Sequence, residues 1–231
     1  MRMVDRLFVQ AFAESFEVQE PILEIGSHQL RPEGDPFPDL CPLFRGKQFI
    51  GSDMRPGPGV DWVQDATRLG IKDRSVGTVV SVGTIEHVFS IFDAFCETDR
   101  VLSEKGAMIV TSVMDCGVHG YPSDYWRFTP EAFLRLLDPY PAKIVAYQGI
   151  SYNPHAVFGI GFKGAPPDFS ERAARFRVKF EQASEALEKA QPMRSKITRF
   201  RRLVSWRVFG SKDAYRKLRD EYVIGWHCCP V

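Results

Sequence analysis

Residues 76–128 read VGTVVSVGTIEHVFSIFDAFCETDRVLSEKGAMIVTSVMDCGVHGYPSDYWRF, and their order of strand, loop, helix, strand and polar-aromatic loop decides the fold. Val79, Val80 and Val82 form a short apolar run of β-branched residues that stops at Gly83, where Thr84, Glu86 and His87 take over. Ile91, Phe92, Phe95 and Leu102 then recur at helical spacing, and Lys105-Gly106 ends that helix before a second apolar run, Ala107 to Val113. A strand–helix–strand unit of this length demands a right-handed parallel crossover. Open α/β sheets bind ligands beyond the carboxyl ends of their strands, so Gly83 to His87 and the loop after Val113 belong to one ligand crevice.

Working outward, Pro21 opens a first buried strand, Ile22, Leu23 and Ile25, that ends at Gly26. Prolines 32, 36, 38 and 42 rule out a long helix after it, leaving a loop with at most a short helical piece. Lys47 to Asp53 reads as a second strand and Val60 to Thr67 alternates like a third. Ala142 to Tyr147 and Ala156 to Lys163 read as a sixth and a seventh strand joined as a hairpin by turn signals at Gly149 and Asn153-Pro154. At the amino end, Val4, Leu7, Phe8, Ala11 and Phe12 repeat at helical spacing and predict an amphipathic helix over 4–16 that packs on the domain.

The chain has 231 residues, 44% of them hydrophobic, enough for one full-sized α/β domain with appendages. It holds no apolar run long enough to span a membrane, and Asp5 and Glu14 interrupt the N-terminal apolar stretch, so neither a span nor a signal peptide is expected and the cytoplasm is the expected location. The five cysteines are odd in number and lack a CxxC pair, which argues for reduced thiols. No metal site is expected either, because the five histidines are scattered and no ligand spacing recurs.

The formal net charge of +1 conceals two unlike parts. Residues 1–150 hold 14 Lys/Arg against 21 Asp/Glu, and residues 151–231 hold 16 against 8, about −7 and +8. This divides the chain into a body, 1–167, and a helical, basic C-terminal extension, 168–231, whose first helix starts at Asp168-Phe169-Ser170 and ends before Gln191-Pro192. Residues 194–209 carry basic and aromatic side chains with no acid. That composition suits peripheral contact with an anionic inner-membrane surface, or packing on the acidic body or a partner in a homodimer. No RNA-binding motif accompanies the charge, and no nucleic-acid partner is expected.

Glu24-Ile25-Gly26 resembles the first motif of class I S-adenosylmethionine-dependent methyltransferases, and Thr84-Ile85-Glu86-His87-Val88 resembles the Glu-His step of their type 11 group. The resemblance spans residues 18–165 and rests on the order of the motifs. It implies a Rossmann-like, seven-stranded, mostly parallel sheet with helices on both faces, with S-adenosylmethionine as methyl donor and S-adenosylhomocysteine as product. It further implies that Glu24, Gly26 and Ser27 cradle the amino-acid end of the donor, and that Asp53 takes the ribose hydroxyls. Met54, Asp65 and Ala66 would meet the adenine, and Gly83 and His87 would border the sulfonium. The sequence departs from the family's glycine-rich turn, since Gly26-Ser27-His28-Gln29-Leu30 keeps one glycine only.

The loop from His119 to Phe128 combines four aromatics with His119, Asp124 and Arg127, a set suited to an acceptor with hydroxyls and an apolar face. Thr129-Pro130-Glu131 starts the helix that follows it. His119 is the first candidate for the base that takes the acceptor proton and His87 the second. Asp124 orients the imidazole or binds a sugar hydroxyl, and Tyr121, Tyr125, Trp126 and Arg127 position the acceptor. The expected activity is O-methylation of a small-molecule, glycan or secondary-metabolite hydroxyl. Three alternatives remain at this level: methylation of an amine or carboxylate by alignment alone, a nucleotide-dependent oxidoreductase, which wants a GxGxxG turn that residues 26–31 do not supply, and a noncatalytic scaffold.

Overall fold

The structure is a computed structural model and describes residues 2–29, 39–120, 122–150, 152–190 and 223–229. In chain order its elements are α1 (Met3–Ser15), β1 (Ile22–Ile25), β2 (Phe49–Asp53), β3 (Trp62–Val63), β4 (Val76–Val82), α2 (Ile91–Val101), β5 (Leu102–Val113), α3 (Pro130–Leu136), β6 (Ala142–Ile150), β7 (Asn153–Phe162), α4 (Phe169–Ala190) and β8 (Val223–Cys229). One sheet runs in the order β3-β2-β1-β4-β5-β7-β6-β8. The first five strands in that order are parallel, β7 lies antiparallel to β5, and β6 pairs antiparallel with both β7 and β8. This is the Rossmann-like, mostly parallel seven-stranded sheet that the sequence predicts, with β8 added at its edge.

The apolar patterning explains the layers. All seven residues of β4 are buried because neighbours pair on both edges and helices cover both faces. Successive residues point to opposite faces: Ile22, Val80 and Ile109 face a layer made by α1 and α4, whereas Leu23, Val79 and Met108 face α2 and α3. On the first face Phe8 is fully buried, with its ring 4.9 Å from Phe158 and 5.2 Å from both Phe176 and Phe180. Helix α4, the first part of the basic tail, is therefore built into the main core.

Three expectations need adjustment, and a fourth holds. The third strand shrinks to Trp62–Val63, because Asp65 turns the chain by accepting the Thr67 N–H. Helix α2 ends at Val101, and β5 starts at Leu102, earlier than the Lys105-Gly106 signal suggests, because Leu102 already pairs with Val76. Between β1 and β2 the described residues hold a single short 3₁₀ turn, Cys41–Phe44, as the prolines imply. The extension is not wholly helical: β8 pairs with β6 over Lys143 to Gly149, a long-range pairing that local periodicity does not encode. The basic stretch 194–209 lies outside the described residues.

Phe8→Ala should cost about 3–5 kcal/mol of unfolding free energy, measured by urea denaturation, since it opens a cavity between α1, α4 and β7.

Candidate active site

The chain runs β1, β2, β3 toward one side of the sheet and then crosses to β4 and β5 on the other, so strand order reverses between β1 and β4. A crevice must open at that reversal. A cleft of about 600 Å³ lies there, at the carboxyl ends of β1, β2 and β4. Gly26 forms its floor with φ of +88°, and a Cβ there would sit 2.0 Å from the Thr84 hydroxyl, so both backbone conformation and space require glycine.

The missing glycines of the turn after Gly26 have a counterpart elsewhere. The Pro56-Gly57-Pro58-Gly59 loop folds over residues 27–29: the Pro58 carbonyl accepts from the Gln29 N–H at 2.9 Å, and a Cβ on Gly57 would lie 2.1 Å from the His28 ring. Close approach is thus achieved by a second loop.

Glu24, Asp53 and Asp65 all line the cleft, with Gly26, Ser27, Met54, Ala66, Gly83 and His87. Asp53 accepts the Arg55 N–H at 3.0 Å, and one oxygen of Asp65 accepts from the Thr67 amide and hydroxyl. Met54 is 60% exposed at the rim. Glu24 accepts no hydrogen bond through its carboxylate among the described residues, and burial, reinforced by Asp39, pushes its carboxyl up to about 8.

On the other wall, the loop that follows β5 docks onto the 3₁₀ turn Ile85–His87. The Glu86 carbonyl accepts the Tyr125 and Trp126 N–H groups at 2.9 and 3.2 Å, and His87 Nδ1 lies 2.5 Å from the Ser123 carbonyl. The Phe128 N–H bonds the Val113 carbonyl, and Thr129 Oγ1 caps α3, so both ends of the loop are fixed. His119 meets His87 edge to face with ring centroids 5.0 Å apart, and both line the cleft.

Asp124 lies behind His119. Its side chain is 4% exposed, its two oxygens take Arg127 in a fork at 2.6 and 2.7 Å, and Oδ2 also accepts the His119 N–H at 2.7 Å and lies 3.3 Å from His119 Nδ1. The Arg127 guanidinium, opposed by burial and helped by the His119 amide, holds the Asp124 carboxyl far below the usual carboxylate range. Asp124 is therefore placed to orient the imidazole. Of the acceptor residues expected in this loop, Tyr125 reaches the cleft, with Pro122 and Ser123 beside it. Trp126 does not line it and donates its indole N–H to the Val88 carbonyl at 3.0 Å. Arg127 points into the loop and bonds the Cys116 and Gly117 carbonyls as well as Asp124. Tyr121 lies outside the described residues.

Residues 46–110 match the methyltransferase domain family. Among solved structures, 1,6-didemethyltoxoflavin-N1-methyltransferase of Burkholderia thailandensis, with S-adenosylhomocysteine and 1,6-didemethyltoxoflavin bound, is similar in fold at a TM-score of 0.53, with 13% identity, over 70% of this chain and 79% of its own. A SAM-dependent methyltransferase of Archaeoglobus fulgidus gives 0.51 and 14% identity over 68% of this chain and 94% of its own. Among curated proteins none matches significantly. By fold, and by the family match over residues 46–110, the chain is similar to S-adenosylmethionine-dependent methyltransferases.

The chemistry of the cleft suits S-adenosylmethionine. Among the described residues Ser27 Oγ and His28 Nδ1 are buried and have no hydrogen-bond partner, and both residues line the cleft. A buried, unpaired polar group costs about 1–3 kcal/mol, which a ligand with carboxylate and hydroxyl groups offsets. Glu24, without a hydrogen-bond partner among the described residues, becomes the complement of a ligand ammonium once it gives up its proton.

Sequence reading assigned no role to several residues here. Glu86 is buried, and its carboxylate accepts the Ser112 hydroxyl at 2.7 Å. Phe89, 69% exposed, packs edge to face on Tyr125 with centroids 5.3 Å apart at the cleft rim. Glu86, His87 and His119 each bring one potential ligand atom within 4.8 Å of the other two, a proximity that their spacing in the sequence does not show. No helix of the described residues is long and apolar enough to cross a membrane.

A cationic ligand beside Glu24 favours its ionised form, so S-adenosylhomocysteine binding should release a proton below about pH 8 and strengthen as pH rises toward that value, read by calorimetry in buffers of different ionisation enthalpy. The folded, ligand-free protein holds this proton between the unfolded carboxyl value of about 4.3 and about 8, so folding stability falls as pH rises through that window. Glu24→Gln should weaken binding and abolish the proton release, and should flatten this fall in stability.

Proposed function

We propose that the methyltransferase transfers its methyl group to a hydroxyl of a small molecule bearing a sugar or a similar hydroxylated, partly apolar framework. The observation that carries this is the His87–His119 pair, backed by Asp124, on the wall of the cleft opposite Glu24. Glu24, Gly26 and Ser27 would hold the amino-acid end of the donor, Asp53 its ribose, and Met54, Asp65 and Ala66 its adenine, with Gly83 and His87 at the sulfonium. When bound, S-adenosylmethionine supplies an electrophilic methyl carbon, and its sulfur departs with the electron pair of the broken carbon–sulfur bond.

The work left to the protein is alignment, exclusion of water and removal of one proton. An alcohol acceptor loses its hydroxyl proton as its oxygen bonds to the methyl carbon, and His119 takes that proton while Asp124 fixes its ring. Phe89 and Tyr125 form an aromatic rim against which the apolar face of a sugar or of a planar ring can lie. A glycan acceptor carried on lipid would also give the basic stretch 194–209 a use, as a contact to an anionic surface on the cytoplasmic side.

His119→Ala should lower the turnover of a hydroxyl acceptor by about 100- to 10,000-fold with S-adenosylhomocysteine binding retained. Mass spectrometry of the product reads the acceptor atom. Full turnover by His119→Ala and His87→Ala would instead mark an amine or carboxylate acceptor, methylated by alignment alone.

A further inference from the structure

We propose that Glu86, His87 and His119 form a binding site for one first-row divalent cation, of the zinc type, on the acceptor wall of the cleft. The donor atoms of the three side chains lie within 4.8 Å of one another. A tetrahedral ion with bonds of about 2.1 Å spaces its ligands about 3.4 Å apart, so closure on the order of an ångström completes the set. His119 sits on a loop, where such a movement is easiest.

The surroundings already hold each ligand as a metal ligand is held. His87 Nδ1 faces the Ser123 carbonyl, and His119 Nδ1 faces the Gly117 carbonyl at 3.0 Å and Asp124 at 3.3 Å. Carbonyls and carboxylates only accept, so Nδ1 is the donating nitrogen of each ring, and in the neutral imidazole the lone pair is then on Nε2. No described residue engages either Nε2. Carbonyl and carboxylate partners on the remote nitrogen are what orients imidazole ligands in metal sites. Glu86 is fixed in the same way, by the Ser112 hydroxyl on Oε2, which leaves the other oxygen for an ion.

Charge points the same way. The nearby guanidinium of Arg2 is matched by the two oxygens of Asp5, and that of Arg127 by Asp124, so the negative charge of Glu86 is left for a cation. Two imidazoles and one carboxylate favour zinc, iron(II), cobalt or nickel over magnesium and calcium, which prefer oxygen. His87 and His119 line the cleft, so the open coordination position faces the acceptor. The ion lowers the pKa of a hydroxyl drawn to it, and the released proton passes to water. This deepens the hydroxyl-acceptor reading and rests on it for its use: with the ion bound, the imidazoles serve as ligands and no longer as bases.

The test titrates the tag-free, full-length protein, saturated with S-adenosylhomocysteine, with cobalt(II), followed by visible ligand-field absorption and calorimetry. We expect one ion per chain. Asp124→Asn should weaken it by about 10- to 100-fold, and Glu86→Gln and His119→Ala by more. Cys116→Ser should leave uptake unchanged. Wild-type protein that binds S-adenosylhomocysteine but takes up no cobalt overturns the site and leaves the methyltransferase reading standing. Uptake undiminished in both Glu86→Gln and His119→Ala overturns it as well. A wild-type protein that takes up cobalt but fails to bind S-adenosylhomocysteine would count against the cofactor reading alone.

Discussion

The contact between Gly26 and Thr84 sets the geometry of the whole site. The ends of β1 and β4 lie side by side, and the chain leaves them in opposite directions, so only a residue without a side chain can turn there. That turn separates two walls, one made by the ends of β1, β2 and β3, and one made by the segment after β4 with the loop after β5. The first wall carries three carboxylates, of which Glu24 accepts no hydrogen bond among the described residues, and polar atoms without a partner there. The second carries imidazoles and aromatic rings. In the function proposed above, that difference in chemistry is what would let one wall hold a charged cofactor and the other an acceptor.

Rigidity comes from different sources on the two sides. Parallel pairing on both edges and burial on both faces hold β1 and β4, and the Pro56–Gly59 loop presses onto residues 27–29. The acceptor wall has no sheet of its own. It is held by main-chain bonds to the Glu86 carbonyl and by the Asp124–Arg127 fork, a charge-assisted pair whose planar geometry fixes the loop from within. Arg127 is therefore a structural arginine in a loop whose composition suggested ligand contact.

Helix coverage is redistributed as well. The described residues between β1 and β2 supply one short turn, and the face is covered by α1 and α4 from the two ends of the chain, joined by the Phe8, Phe158, Phe176 and Phe180 cluster. Arg2, just ahead of α1, reaches the Ser112 carbonyl beneath Glu86, so this coverage is tied to the acceptor wall.

The sequence alone determined the layered α/β fold, because apolar residues at period 2 in the strands and near 3.6 in the helices record which faces are buried. It also determined that Glu24, Asp53 and Asp65 line one cleft, since they sit at or near strand ends and strand ends share one edge of a parallel sheet. Only the tertiary structure decided that Glu86 is buried beside two imidazoles, that Asp124 and Arg127 turn to each other, and that a strand near the C-terminus pairs with β6. Those facts depend on side-chain direction and on pairing between distant segments, and a local pattern of residues carries neither.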